Sequence, residues 1–391
     1  MENIYITKLW INKVRHLENI NILLSTDKRK HLILTGKNGS GKTSVLIEIK
    51  NHIATIESGK LKALNRQMEV KNRVASAIRG ESKILNRQLA LNPEITISFN
   101  SDTKTLESSY DNYNFIIAFF DATRTTDFSV PSGIKKVYLK NKYKLEEQPG
   151  TQFVQHIVNL KADKSFARDD NDLETVNTIA ENSLKEIFED ETLRLEFDRK
   201  NYNFNIIQKG RETYDFHTLS DGYAAILSII TELILRMENN KTKNYGLQGI
   251  VLIDEIEAHL HIELQKKVLP FLTKFFPKIQ FIITTHSPFI LNSIDDAVIY
   301  DLEKNLLINE DLSGYSYEGI VESYFDSDKL CEISHTKTQR SQRKDRKTLC
   351  HSVFFAALCD FFYITEKRQK SFVKYPTQRY SKKGGQRWIL I

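Results

Sequence analysis

Gly36, Gly39 and Gly41 stand close together and are followed at once by Lys42 and Thr43. Glycines so placed let a backbone wrap closely around an anion, in conformations closed to other residues. A helix starting at their end turns free N–H groups and the positive pole of its dipole towards that anion. Lys42 then reaches the β- and γ-phosphates of a nucleotide, and the Thr43 hydroxyl offers a ligand to Mg2+. Gly36, Lys37, Asn38, Gly39, Ser40, Gly41, Lys42, Thr43 and Ser44 are the candidate phosphate contacts.

Three further stretches follow in a fixed order. Leu219-Ser220-Asp221-Gly222 opens an apolar helical run, with Ser220 a good N-cap and the helix start offering N–H groups to an anion. Ile250-Val-Leu-Ile then ends in Asp254-Glu255. A carboxylate at the C-terminal end of a buried parallel strand lies beside the glycine loop. Asp254 can hold Mg2+ directly or through water, and Glu255 can act as general base towards the water attacking the γ-phosphate. His286 follows another apolar run and precedes Ser287-Pro288, where an imidazole can bond the γ-phosphate. Each has a plainer reading: a capped helix, an acidic pair ending a strand, a structural histidine. The order of all four favours chemistry.

The elements that must carry these residues are legible from periodicity. Short strands are expected over 4–6 and 20–24, joined across 12–16, and a third over 31–35 runs into the glycine loop. Val45, Leu46, Ile49, His52 and Ile53 then have helical spacing. Strands are expected over 95–99 and 115–120, helices over 151–162 and 172–188, and a hairpin over 193–197 and 203–207. The last third reads as a helix over 223–236, a strand over 249–253, a helix over 260–276 and a strand over 279–284. Strands over 297–300 and 305–308 close it. Continuously apolar strands of this kind belong to a parallel sheet covered on both faces.

The chain has 391 residues, 40% hydrophobic and 27% charged, ordinary for a globular protein with one large α/β core. No apolar run reaches membrane-span length, and the N-terminus has no basic region followed by an apolar core. Three cysteines, Cys331, Cys350 and Cys359, make no disulfide framework. A cytoplasmic protein without a membrane partner is the expectation. Residues 331–391 carry 14 Lys and Arg against 4 Asp and Glu, and this +10 exceeds the whole-chain +6, leaving the first 330 residues at −4. That tail reads either as a nucleic-acid arm or, the favoured reading, as an atypical end. Four regions follow: an N-terminal lobe over 1–57, a helical insertion over 58–92, the remainder of the catalytic domain over 93–330, and the tail over 331–391.

The ordered set resembles ABC-type ATPases of the RecF/SMC/OLD group, of AAA_15 or AAA_21 kind. Glu255-Ile-Glu257-Ala-His259-Leu-His261 is similar to that group's extended acidic motif and dimer loop, and Thr285-His286-Ser-Pro to its switch-histidine segment. Asn12, Lys13, Val14, Arg15 and His16 resemble its N-terminal strand turn, near base and phosphates. Within the group the chain looks most like stand-alone bacterial defence ATPases of the Septu and retron-associated PtuA type. The resemblance covers residues 1–325 and implies a P-loop NTPase fold with a mixed sheet, N-terminal antiparallel strands and a helical insertion.

It also implies ATP and Mg2+ as cofactors, catalysis by Glu255 and His286, and metal ligation by Thr43 and Asp254. A head-to-head homodimer would complete each cradle with Ser220 and Gly222 of the second copy. Asp221 and Tyr223 depart from the group's usual residues. The group's Q-loop glutamine is not evident either; Asp121-Ala-Thr-Arg124 stands there, and Arg124 is a candidate γ-phosphate reader or link to the insertion. The implied function is an ATP-hydrolysing switch that controls an effector, a nuclease for instance, or DNA itself, in anti-phage defence. A RecF-type repair ATPase and a nucleotide-gated scaffold are the alternatives. A transporter ATPase fits less well without the Q-loop glutamine.

Overall fold

The computed structural model describes residues 3–61, 94–124, 130–135, 137–166, 171–238 and 246–308, together with residues 66 and 128. Nearly all of the expected insertion over 58–92, and the whole basic tail, lie outside the described residues.

Three apolar runs build the centre: β3 (His31–Thr35), β9 (Gln248–Ile253) and β10 (Ile279–Thr284). Every residue in them is buried, so they must lie inside a sheet covered on both sides. With β5 (Phe115–Phe120), β11 (Ala297–Asp301) and β12 (Leu306–Ile308) they form a six-stranded sheet in the order β12-β11-β3-β10-β9-β5. All pairs are parallel except β11 with β12.

Alternation along the pleat sends neighbouring residues into two different cores. Leu32, Leu34, Ile250, Leu252 and Ile282 enter one, where α1 (Lys42–Glu57) packs Val45, Leu46, Ile49 and Ile53. Ile33, Val251, Ile253, Phe281 and Ile283 enter the other.

The first core is closed by a separate antiparallel sheet, β2-β1-β4, made of β1 (Ile6–Val14), β2 (Leu17–Leu23) and β4 (Ile95–Phe99). Buried amides stitch it to the main sheet. Gln248 Oε1 accepts from the Ile4 N–H and Gln280 Oε1 from the Ile6 N–H, each at 2.7 Å. The second core lies under helices. One is α2 (Thr103–Asp111) only in sequence order, for it packs on α1; the covering helices are α3 (Phe153–Phe166), α4 (Asn171–Phe188), α5 (Asp221–Glu238) and α6 (Ile262–Phe275). A small sheet of β6 (Arg194–Asp198), β7 (Asn203–Ile207) and β8 (Tyr214–Asp215) joins them, and α7 (Pro288–Leu291) is a single turn after β10.

The mixed architecture with N-terminal antiparallel strands stands as expected from sequence. Several boundaries differ. The first strand runs to Val14 rather than ending near residue 6, because it pairs on both edges and alternates buried with exposed side chains. Its turn narrows to Arg15 and His16, with Arg15 at φ 54°. The helix α2 has no counterpart in the expectation. Its sequence is polar, and Asp102 holds its start by accepting from the Lys104 and Thr105 N–H groups at 2.9 and 3.0 Å. The helix expected from residue 260 begins at Ile262, after His259 at φ 65°.

Two buried histidines make this fold acid-sensitive. Burial pushes the His31 pKa down to about 3, with Arg29 adding to the shift and Asp296 opposing it. Its Nδ1 accepts from the Phe281 N–H at 3.0 Å. Burial likewise lowers His52 to about 4. Both stay neutral in the folded chain while the unfolded chain protonates them near pH ~6.5. Their stabilisation is therefore full above that pH and is lost as pH falls towards the folded values, at about 1.4 kcal/mol per pH unit for each. Urea unfolding should show His52→Leu losing less stability than the wild type between about pH 6.5 and about pH 4.5. Equal losses would refute the assignment.

Candidate active site

The glycine loop leaves β3 at Thr35 and enters α1 at Lys42. Gly36, Gly39 and Gly41 have φ of 134°, 84° and 99°, all in the region that favours glycine. At Gly36 a Cβ would also lie 2.7 Å from Ser40 Oγ, and at Gly41 2.9 Å from Leu17 Cδ1. Gly41 caps α1 with no side-chain hydrogen bond, leaving first-turn N–H groups for an anion. Inside the loop, the buried Ser40 hydroxyl has no hydrogen-bond partner. Lys42 is buried and curls back, its Nζ donating to the carbonyls of Gly36 at 2.8 Å and Lys37 at 3.1 Å. Burial lowers its pKa, opposed by the carboxylates of Glu255, Glu257, Asp254 and Asp301. This cradle fits a polyphosphate: wrapped backbone, a free helix start and a cation.

Asp254 is buried at the end of β9. Its Oδ1 accepts from the Thr284 hydroxyl at 2.5 Å and the Thr43 hydroxyl at 3.2 Å. Thr43 and Asp254, expected as metal ligands, thus present oxygens side by side, and oxygen donors suit a hard cation such as Mg2+. Glu255 turns out of the strand at φ 44°, its N–H donating to Thr284 Oγ1 at 2.8 Å. Its partly exposed carboxylate comes within 4.0 Å of His286 Nε2. The glycine loop, Glu255, His286 and the 301–304 turn bound a cleft of about 530 Å³. Sequence order alone brought none of these together; the parallel pairing of β3, β10 and β9 does.

Arg124 has a different role from the one expected. Its guanidinium is buried and committed to backbone carbonyls: Nη1 donates to Asp121 at 3.2 Å and Asp254 at 2.9 Å, and Nη2 to Glu255 at 3.1 Å and Ile256 at 3.0 Å. It holds the acidic turn in place rather than reading a phosphate. Burial lowers its pKa, against the pull of Glu257, Asp121, Asp254 and Glu255.

Two acids were not singled out from sequence. Glu257 accepts from the Thr285 hydroxyl at 2.7 Å and from the His286 backbone N–H. Glu303 pairs with Lys37 Nζ at 2.9 Å and accepts from the Lys37 N–H at 3.3 Å, latching the glycine loop to the turn after β11. For Glu257 the signal was present in the acidic spacing; for Glu303 no local pattern marks it.

Ser220 and Gly222 do not line the cleft within one chain. Ser220 is exposed at the start of α5. Gly222 is buried, and a Cβ there would come 3.0 Å from the His259 carbonyl and 3.3 Å from Leu264 Cδ1. Its smallness lets α5 approach the loop that follows the acidic turn. Tyr223 stacks on Phe188 with ring centroids 4.0 Å apart.

Parts of this chain are similar to a known family and to three known proteins. Residues 145–292 match the AAA_21 family, described as "AAA domain, putative AbiEii toxin, Type IV TA system". The matched segment contains Ser220, Asp254, Glu255 and His286, while the glycine loop lies before it. The chain is 40% identical over 114 residues to the Septu protein PtuA of Bacillus mycoides (strain KBAB4), covering 27% of this chain and 16% of that protein. It is 39% identical over 101 residues to the Retron Ec83 probable ATPase of Escherichia coli, covering 25% and 19%. The matched part therefore spans less than a fifth of these relatives. Among solved structures, the SMC head domain from Thermotoga maritima matches with a TM-score of 0.37 and 15% identity, over 75% of this chain and 94% of that one. Among the described residues, no helix is long and apolar enough to cross a membrane.

Arg124→Met keeps the stem but removes every donor to the acidic turn. Urea unfolding should show a loss of about 2–4 kcal/mol, since hydrogen bonds from a charged group contribute about 1.5–3 kcal/mol each and are not additive. Arg124→Lys should fail to restore it, because an ammonium cannot span three consecutive carbonyls with a planar fork.

Proposed function

We propose that this chain binds and hydrolyses ATP and uses the cycle as a dimerising switch. One observation carries the reading: the glycine loop, a half-exposed glutamate and a histidine line one cleft, with a buried lysine bonded to the loop's carbonyls and a Thr–Asp oxygen pair formed by the residue after that lysine. Phosphoryl transfer to water needs positioning and electrostatic stabilisation more than covalent chemistry, and these residues supply both.

Gly36 to Ser44 hold the phosphates through backbone N–H groups and Lys42. Thr43 and Asp254 would hold Mg2+, which when bound neutralises charge on the β- and γ-phosphates. Glu255 accepts a proton from the attacking water as its oxygen bonds to the γ-phosphorus. The bond from that phosphorus to the β-bridging oxygen breaks, and ADP and phosphate leave. His286, beside Glu255, donates towards a γ-phosphate oxygen.

The dimer is the second half of the proposal. Ser220 stands exposed at a helix start outside its own chain's cleft, and a second copy facing the first would give it a phosphate to bind. Gly222 sets the position of that helix start. Likeness to PtuA and to a retron ATPase supports a setting in anti-phage defence, in the cytoplasm, with an effector protein or DNA receiving the signal. In this reading residues 1–57 and 93–330 form the ATPase, 58–92 is the insertion that passes the change on, and 331–391 is an atypical basic tail.

Phosphate release and sedimentation with ATP test both halves. Glu255→Gln should bind ATP yet release phosphate about 100-fold or more slowly, the usual size of a general-base effect. Release at the wild-type rate would instead leave a nucleotide-gated scaffold. Lys42→Ala should lose ATP-dependent dimerisation, and a variant that dimerises normally with ATP refutes the sandwich.

A further inference from the structure

The acidic turn carries a third carboxylate, which is bound to the histidine segment and does not line the cleft. Glu257 directs one oxygen to the Thr285 hydroxyl and the other to the His286 N–H. Both donors flank the side chain that faces Glu255. The Thr285 hydroxyl is fully buried and also accepts from the Ser287 N–H at 3.0 Å. Ser287 Oγ donates to Gln265 Oε1 at 2.6 Å, and Gln265 Nε2 donates to the Leu260 carbonyl at 2.7 Å. Leu260 returns its N–H to the Glu257 carbonyl at 2.9 Å. The bonds form a closed ring: Glu257, Thr285, Ser287, Gln265, Leu260 and Glu257 again.

A ring of this kind has a mechanical consequence. His286 follows β10 with only a short turn before α7, so its backbone is not held by a sheet ladder. Its N–H is tied to Glu257, and the next residue is tied through Thr285 to the same carboxylate. Where the imidazole stands relative to Glu255 therefore depends on where Glu257 stands. Glu255 and Glu257 share one turn, its backbone clamped at residues 254–256 by Arg124. The general base and the phosphate-facing histidine, from two different strands, are referenced to one another through a single side chain.

We infer that Glu257 is a positioning residue that sets the imidazole of His286 against the carboxylate of Glu255. It acts through His286, to whose backbone N–H it is bonded. The inference rests on the reading of Glu255 and His286 given above. It also explains why a carboxylate rather than an amide stands at this position. Two donors converge on it, one on each oxygen, and only a carboxylate accepts at both.

The test is a double-mutant cycle on the full chain, measuring kcat and KM for ATP from phosphate release, with Glu255→Gln as control. Glu257→Ala should lower kcat about 10–100-fold, as expected when a reacting group is misplaced by about an ångström, and leave KM within about 3-fold. Glu257→Gln should fall between, because its amide oxygen satisfies one donor while its NH2 opposes the other; it also serves if the alanine variant fails to fold. In a His286→Ala background, Glu257→Ala should lower kcat by no more than about 2-fold further, because its effect passes through the missing imidazole. Multiplicative effects of the two changes, or a raised KM with unchanged kcat, would overturn the positioning role while leaving the ATPase reading intact. A wild type that releases no phosphate, or a Glu255→Gln variant as fast as wild type, overturns that reading and this inference with it.

Discussion

A buried guanidinium is the interaction on which the rest of the site depends. At the C-terminal end of β9 the chain must stop pairing and turn sharply, leaving the carbonyls of residues 254–256 without strand partners. Unpaired buried carbonyls are expensive, and a fork of N–H donors satisfies several at once. Arg124 does this from the segment after β5, the strand beside β9. The turn it holds includes Glu255 in a left-handed conformation, unusual for a residue with a side chain. From that turn the three carboxylates take separate directions: Asp254 to the hydroxyls of Thr43 and Thr284, Glu255 to the cleft, Glu257 to the histidine segment.

The sheet beneath the turn is rigid because both its faces are packed. Alternate residues of β3, β9 and β10 feed separate cores, one under α1 and the antiparallel sheet, the other under α3 to α6. The glycine loop is anchored by α1 on the first side. The helix start bearing Ser220 is carried by α5 on the second. Arg236, paired within α5 to Glu232 Oε1 at 2.7 Å, ties that helix to β5 by donating to the Ile117 carbonyl at 2.8 Å. Glu232 in turn accepts from the Gly150 N–H at 2.5 Å. Truncating either partner of such a pair leaves an uncompensated buried charge, so the connection between α5 and β5 is stiff.

The same sheet carries polar groups that periodicity hides. Gln248 and Gln280 lie within runs that read as uniformly apolar strands, yet their amides bind the chain leading into and starting β1. His31, at the start of β3, and His52, within α1, are likewise buried and neutral. The two glutamines and His31 have no local marker, because each bonds to groups distant in the chain.

Local chemistry was legible without coordinates. Positive-φ glycines at 36, 39 and 41 and a helix start at Lys42 were legible from spacing, as was the acidic pair ending an apolar strand. The parallel strands were legible too, because burial on both faces leaves no polar alternation. What the sequence could not determine was which groups answer each other across the fold. That Arg124 grips a backbone turn 130 residues away, that Glu303 latches Lys37, and that Glu257 holds His286 are matters of strand order. Adjacency of β11, β3, β10, β9 and β5 in the sheet brings those residues within hydrogen-bond reach. Composition and spacing specify the parts through local torsion and periodicity. Only the packed sheet, which sets distances between residues remote in the chain, decides how they meet.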